Sequence, residues 1–581
     1  MRAPLEQLVS NALADVLQGD LPENLDTSAQ ITRTRDPRHG DFTTNLAMRL
    51  AKPLRRKPRD IAESLVECLA DAEWLEAVTI AGPGFVNFKL AASAYQTELA
   101  NILSQTDSYG QSQLGAGIKV IVEYVSANPT GPLHVGHGRH AAYGATIANL
   151  LRATGHEVHQ EYYVNDAGRQ MNILGASVWV RYAQQHSLGV TLPAKAYQGD
   201  YVTAIALDLK NAQQDSLLLD PQALSDALAT AEGDEERELD SLIAFLSEQL
   251  GDQRFRLCVD AALDSILADI RDDLAAFGVT PDRWFSERSL VTEGALDRAL
   301  AEVKRRGHLY DKDGAVWFKA TDFGDDQDRV VVRDNGVPTY FASDIAYHFE
   351  KRERGFDVLL DVLGADHHGY VTRLHGGLEA MGEQGDSLEV RLIQFVALFR
   401  GQERIPMGTR SGEYVTLRDL RKEVGNDAAR FFYVMRSNDQ HLDFDLALAA
   451  SQSDDNPVYY IQYAFARIAS ILRRRQDQDL PLPGHTAVSL ELLKEPQEMA
   501  LLISLSRYPE IVELAAANRA PQTLVHYLRE LAATFHTYYG AHKVLVDEPQ
   551  LADARTLLAL GTQQVLGNGL SLLGVSPPER M

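Results

Sequence analysis

Asn128-Pro129-Thr130-Gly131-Pro132-Leu133-His134-Val135-Gly136-His137 places two imidazoles one helical turn apart, directly after a Pro/Gly turn. At a helix N-terminus the free backbone amides and the macrodipole favour an anion, so the two rings suit the oxygens of a triphosphate. Gly136 between them leaves room for a nucleotide to approach the backbone. The other chemistry open to His-x-x-His is a metal clip, which needs a third and usually a fourth ligand. Neither His140 nor the two cysteines, Cys68 and Cys258, supplies an obvious set, and no metal site is assigned.

A second group is Glu287, Tyr340 and Asp344. On a helix beginning after Pro338, Tyr340 and Asp344 lie four residues apart and share a face. Two acids and a phenol suit a guanidinium, whose planar fork pairs with carboxylates and stacks on aromatic rings. Gly364-Ala365-Asp366-His367-His368 ends an apolar strand, where an Asp can accept from ribose hydroxyls at the point of strand-order reversal. Asp-His-His is also an ordinary metal-ligand set. The ribose and adenine side of a nucleotide site is the expected role of Gly364, Asp366 and His367.

Strands must end at these motifs for the groups to meet. Residues 118–125 are short, β-branched and apolar, which predicts a buried parallel strand. Residues 138–153 predict a helix stopping at Gly155. A second strand is expected at 156–164, giving a βαβ unit whose ligand belongs at the strand C-terminal ends. From about 170 to 280 the chain is helix-rich and acidic, an expected insertion between two half-sheets. Strands are expected to resume near Ala315–Phe318, Arg329–Val332 and 357–364, and beyond about 415 the pattern is almost wholly helical. Residues 1 to about 110 read as helices, a strand at 84–90 and another helix, followed by a Gly/Ser/Gln-rich linker at 109–117.

A chain of 581 residues exceeds one hydrophobic core. Its 45% hydrophobic and 24% charged residues are ordinary for soluble proteins, and no apolar run is long enough to span a bilayer. Two distant cysteines exclude a disulfide framework and fit a reducing cytoplasm. A net charge of −25 argues against nonspecific nucleic-acid binding. Locally the balance reverses, with nine Lys/Arg against Asp36 and Asp41 between Arg33 and Arg59. That cluster is either a solvated face or a contact for an RNA backbone.

The His-x-Gly-His segment resembles the HIGH signature of class I aminoacyl-tRNA synthetases, and Ser126-Ala127-Asn128-Pro129 before it narrows the likeness to the arginyl family. Arg404 to Leu420 resembles the mobile KMSKS loop, although Pro406 and Thr409 stand at its lysine positions and Gly131 stands where some members lacking the loop lysine carry one. Asp427-Ala428-Ala429-Arg430 is close to the Asp-Ala-Leu-Arg signature of the family's anticodon-binding domain, and Gly40-Asp41-Phe42-Thr43-Thr44-Asn45 extends the likeness to the first domain. The resemblance implies a multidomain α/β protein. It has a Rossmann-like parallel-sheet catalytic core (116–415) with the helical insertion, an N-terminal α+β domain (1–110) and a C-terminal all-helical anticodon-binding bundle (416–581).

It further implies ligation of L-arginine to tRNA(Arg) with ATP, Mg²⁺ entering with the nucleotide and no dedicated protein metal site. His134, His137 and Arg410 are implied as catalytic, with Met407 and Gly136 also at ATP. Ser126, Asn128, His134, Glu287, Tyr340 and Asp344 are implied at arginine, and Arg33, Arg35, Arg55, Arg56, Tyr459 and Tyr463 are the tRNA candidates. A cytoplasmic monomer with no membrane association is expected. The rival readings are an amino-acid-activating enzyme without a tRNA step and a noncatalytic tRNA-binding paralogue.

Overall fold

Five parallel strands form the central sheet, seen in a computed structural model that describes residues 1–17, 26–34, 36–229, 234–405 and 414–581. In chain order they are β1 (Lys119–Glu123), β2 (Glu157–Val164), β3 (Arg283–Ser286), β4 (Val358–Gly364) and β5 (Leu388–Ile393). Their order across the sheet is β5-β4-β1-β2-β3, so the chain reverses direction of travel between β1 and β4. Ligands of open α/β sheets bind at that switch point, beyond the strand C-terminal ends. The two motifs that follow β1 and β4 are therefore neighbours.

The helix after β1, α1 (Val135–Ala153), starts three residues earlier than expected because His134 caps it. Its Ala141, Ala142, Ala145, Ile147, Ala148, Leu150 and Leu151 are buried, and alanines on several sides let other elements approach closely. Each large aliphatic chain there contributes about 1.5–3 kcal/mol of burial. The expected helical insertion is present as Arg169–Gln185, Asp200–Gln213, Pro221–Ala229 and the long Glu235–Ala276, which kinks at Gly251.

Two of the expected strands need correction. Ala315–Phe318 and Arg329–Val332 do not join the parallel core; with Leu309–Lys312 they form a separate antiparallel sheet. Each is only four residues long and half its residues or more are partly exposed, which suits a meander covered on one face better than a strand covered on both. Leu442–Asp445, within the stretch expected to be helical, is a strand parallel to Val396–Arg400. The first domain holds a four-stranded antiparallel sheet, of which only Phe85–Leu90 was legible. After it the chain is dominated by helices Pro457–Asp477, Pro496–Ser506, Tyr508–Ala517, Pro521–Ala541 and Pro549–Leu573. No helix among the described residues is long and apolar enough to cross a membrane.

Candidate active site

β1 leads into two left-handed residues, Val125 (φ 69°) and Ser126 (φ 38°). That conformation costs of order 1–3 kcal/mol per residue and is least tolerable for a β-branched valine. It turns Ser126 Oγ back to donate to Glu123 Oε1 at 3.0 Å and to accept from the Tyr163 amide at 3.1 Å. The next turn is held by Tyr162, whose hydroxyl donates to Ala127 O at 2.8 Å, and by Asn165, whose Nδ2 donates to Asn128 Oδ1 at 3.0 Å.

His134 then caps α1. Its Nδ1 accepts from the amides of Gly136 (3.0 Å) and His137 (3.3 Å), while His137 Nδ1 accepts from the His134 amide at 3.2 Å. Both Nδ1 atoms are acceptors, so each ring carries its proton on Nε2. Burial lowers the pKa of His134; burial, with His134 and His140 nearby, takes His137 well below its ordinary value. The rings stack with centroids 3.6 Å apart. Two neutral imidazoles therefore keep Nε2–H donors for a ligand at a helix N-terminus, which is chemistry for phosphate oxygens. A Cβ on Gly136 would sit 2.8 Å from His134 Cε1, so the room expected there for a nucleotide is needed first by this ring.

The same turn is bonded to the chain emerging from the loop that resembles KMSKS. Val135 donates to Val415 O (3.3 Å), Leu417 donates to Leu133 O (2.8 Å), and the Tyr414 ring meets His134 edge-on. Tyr201 of the insertion donates to Thr130 O, and the hydroxyls of Tyr201 and Tyr414 both face Gly131. Met407 and Arg410 lie outside the described residues.

Across the switch point, Gly364 ends β4, and Asp366 and His367 stand largely exposed at its mouth. They face His140, which sequence reasoning passed over except as a metal ligand. Burial first, then His134 and Arg139, lower the His140 pKa to about 4, and its buried Nδ1 has no partner. Among the described residues no three His, Cys, Asp or Glu are grouped to hold a metal.

The two acids expected at a guanidinium do come together. Glu287 opens the helix Glu287–Thr292 after β3, and Asp344 lies in α2 (Tyr340–Glu353). Glu287 is 6% exposed and its Oε2 has no hydrogen-bond partner. Burial, then Asp344 and Asp166, raise its pKa to about 7. Asp344 is raised to about 6, mainly by burial, although Tyr370, which donates to its Oδ2, and His348 oppose the shift. Tyr163 completes the wall; its hydroxyl feels both carboxyls, and its ring packs between Phe285 and Tyr347. Tyr340 is 56% exposed at the rim, its hydroxyl over Gly168. Crowded, desolvated acids with raised pKa values are the complement of a cationic side chain. Beside them Arg288 is already committed, to Asp166 at 3.2 Å and Asp260 at 3.0 Å.

Beneath this pocket three acids lie in register across adjacent strands, Asp361 of β4 beside Glu123 of β1 beside Glu161 of β2. α2 covers them. Lys351, fully buried, donates to Glu123 Oε2 (2.6 Å) and Asp361 Oδ1 (2.8 Å); Arg354 forks onto Glu161, and Tyr347 donates to it at 2.7 Å. The signal in the sequence was Glu123 ending the apolar run of β1 and Asp361 interrupting that of β4; β2 carries two acids, Glu157 and Glu161, and gave no such signal.

The tRNA candidates separate. Arg33 is not available to RNA, because it pairs with Glu510 at 2.8 Å and lies over Phe42. Arg35 lies outside the described residues, whereas Arg55 and Arg56 are exposed. Tyr459 and Tyr463 stack at 6.0 Å, and Arg467 lies over the Tyr463 and Tyr539 rings. Arg430 of the Asp-Ala-Ala-Arg motif is structural. It is 2% exposed and donates to Leu573 O at 3.0 Å and Phe277 O at 2.9 Å.

A parallel sheet with His-x-Gly-His capping the helix at its switch point is the nucleotide-binding arrangement of class I aminoacyl-tRNA synthetases. The families described as "tRNA synthetases class I (R), catalytic domain", "DALR anticodon binding domain" and "Arginyl tRNA synthetase N terminal domain" match residues 98–445, 461–581 and 3–90. The arginine–tRNA ligases of Thioalkalivibrio sulfidiphilus and Halorhodospira halophila are 54% and 51% identical over 100% of both chains. The Thermus thermophilus arginyl-tRNA synthetase shares the fold at a TM-score of 0.74, with 24% identity and 100% coverage of each chain. The chain belongs to the class I arginyl-tRNA synthetases, ligases that form aminoacyl-tRNA.

Proposed function

We propose that Glu287 and Asp344 take the guanidinium of L-arginine, with Tyr163 and Tyr340 flanking it, and that ATP, entering with Mg²⁺, lies across the switch point. The buried, unpartnered Glu287 Oε2 beside Asp344 carries this reading, since a desolvated carboxylate oxygen left without a donor is costly unless a ligand supplies one, even though Ser343 and Tyr163 also act on this carboxyl. Ser126 and Asn128 lie where the arginine backbone would then fall. In the reaction of this family the arginine carboxylate attacks the α-phosphorus of ATP and pyrophosphate leaves. The 2′-hydroxyl of the terminal adenosine of tRNA(Arg) next attacks the arginyl-adenylate carbonyl and AMP leaves.

His134 and His137 donate from Nε2 to α-phosphate oxygens as charge builds there, and Asp366 accepts from the ribose. Arg410 is assigned to the leaving pyrophosphate. The protein's contribution is alignment and charge stabilisation, and covalent participation is not required. Tyr459 and Tyr463 offer a stacking surface to unpaired bases, and Arg55 and Arg56 offer charge to the RNA backbone. The cytoplasm is the compartment this assigns. The test is ATP–pyrophosphate exchange with arginine, run with and without tRNA(Arg) and with citrulline as competitor. Arginine-dependent exchange unaffected by citrulline is expected. No arginine-dependent exchange under either condition, or inhibition by citrulline matching that by arginine analogues that keep the guanidinium, would overturn the assignment.

A further inference from the structure

One side chain joins the arginine pocket to the row of strand acids beneath it. His348 lies one turn of α2 beyond Asp344 and is 4% exposed. Its Nδ1 is 2.7 Å from the Asp344 carbonyl oxygen and its Nε2 is 2.8 Å from Asp361 Oδ2. A carbonyl oxygen only accepts, so Nδ1 must carry a proton. Asp361 receives the Lys351 ammonium on its other oxygen at 2.8 Å, which fixes it as a carboxylate, and a carboxylate also only accepts. Nε2 must therefore carry a proton as well.

We infer that His348 is a permanently charged imidazolium, a positioning residue that keeps the Asp344 carboxylate ionised and aimed for the substrate guanidinium. This rests on the reading of Glu287 and Asp344 as the guanidinium pocket. The groups facing the ring are Asp344, Tyr347 and Lys351 from its own helix, Asp361 from β4 and Glu123 from β1. Burial is the largest influence on His348 and works against a charge, as does Lys351, but the charge and hydrogen bond of Asp361 together with the hydrogen bond to the Asp344 carbonyl make the net shift upward. The same cation acts on Asp344 against burial and against Glu123 and Asp361, which push that carboxyl toward the neutral form. Without it burial and the two strand acids would be opposed only by the Tyr370 hydrogen bond, and the acid that must meet arginine would protonate more readily. A neutral hydrogen-bonding residue at 348 would preserve the packing and lose this effect.

The test has three arms on the full chain. First, ¹⁵N-histidine NMR reads the ring directly, the His348 signals being identified by their disappearance in His348→Gln or their displacement in Asp361→Asn. Both nitrogens should stay protonated at pH 7.5, where an ordinary imidazole of pKa about 6.5 is mostly neutral; a neutral ring at that pH overturns the inference. Second, the arginine KM is followed against pH. In His348→Gln the limb that marks loss of arginine binding should move up by about one pH unit, a usual effect of removing one neighbouring charge. The ATP KM should stay put. An unmoved limb in His348→Gln also overturns it. Third, Asp344→Asn separates the two readings: if it raises the arginine KM while the His348 variant moves nothing, the pocket stands and the imidazolium role falls. If Asp344→Asn is also silent, the pocket reading itself falls.

Discussion

His134 and His137 cap each other: each imidazole Nδ1 accepts the other residue's backbone amide, at 3.3 and 3.2 Å. The two rings are thus part of the helix start, and their tautomer is set by the fold itself. Replacing either by Ala should lower kcat roughly 10²-fold or more, as loss of a preorganised donor does, and should also cost about 1 kcal/mol of stability through the lost cap. His134→Asn separates the two, because Asn is a good cap without the Nε2–H. Its melting temperature should match the parent protein while single-turnover adenylate formation stays slow; full activity would remove His134 from the chemistry.

With Glu287 and Asp344 as the proposed guanidinium partners, their titration should set the pH dependence of arginine binding. Both carboxyls are raised, to about 7 and about 6, so both are protonated as pH falls through that range and the guanidinium loses its partners. The arginine KM should therefore climb below pH 7 while the ATP KM changes far less, since the Nδ1 atoms of His134 and His137 are taken by backbone amides and burial lowers both pKa values. Steady-state kinetics from pH 5.5 to 8.5 would show it, the pH span being chosen to bracket ordinary and raised carboxyl values on either side.

Neutral isosteres make the same point at fixed pH. Glu287→Gln or Asp344→Asn should raise the arginine KM about ten- to a hundredfold, the worth of a charge-assisted hydrogen bond. Equal changes in the ATP KM would take these residues out of the arginine pocket.

Much of this was legible because the motifs sit where the chain has little freedom. His134-x-Gly-His137 follows a β-branched strand and Asp344 lies four residues from Tyr340 on one helix, so spacing located them and the family resemblance suggested their roles. What was hidden depended on contacts across hundreds of residues. Arg33 looked like part of a basic patch until the fold brought Glu510 to it, 477 residues away. His348 and Lys351 carried no signal because their partners lie on β1 and β4. Tyr163 fell within the expected strand 156–164 with no role attached, and Tyr370 had none either. The antiparallel sheet of 309–332 was misplaced because short apolar runs do not reveal their pairing partners.

Arg430 offers a stability test away from the chemistry. Arg430→Met keeps the volume but leaves the carbonyls of Leu573 and Phe277 unsatisfied, which should cost about 2–4 kcal/mol at roughly 1–2 per buried acceptor. Gly574→Ala should also destabilise, because φ is 69° there and a Cβ would lie 2.3 Å from Arg430 Nε. Denaturant melts measure both, and an unchanged midpoint in either would show that the contact is dispensable.

The position of Arg430 also bears on how the chain comes apart. Its guanidinium is satisfied only when the end of the insertion at Phe277, the helix Asn426–Val434 and the end of the last helix at Leu573 are all in place, and Asp427 of the same helix adds Gln462 and the Ser576 amide. None of these three regions can melt separately without stranding a buried charge. The catalytic sheet and the C-terminal helices are thereby coupled into one cooperative unfolding unit, and removing the last helix would unseat the core rather than release an independent module.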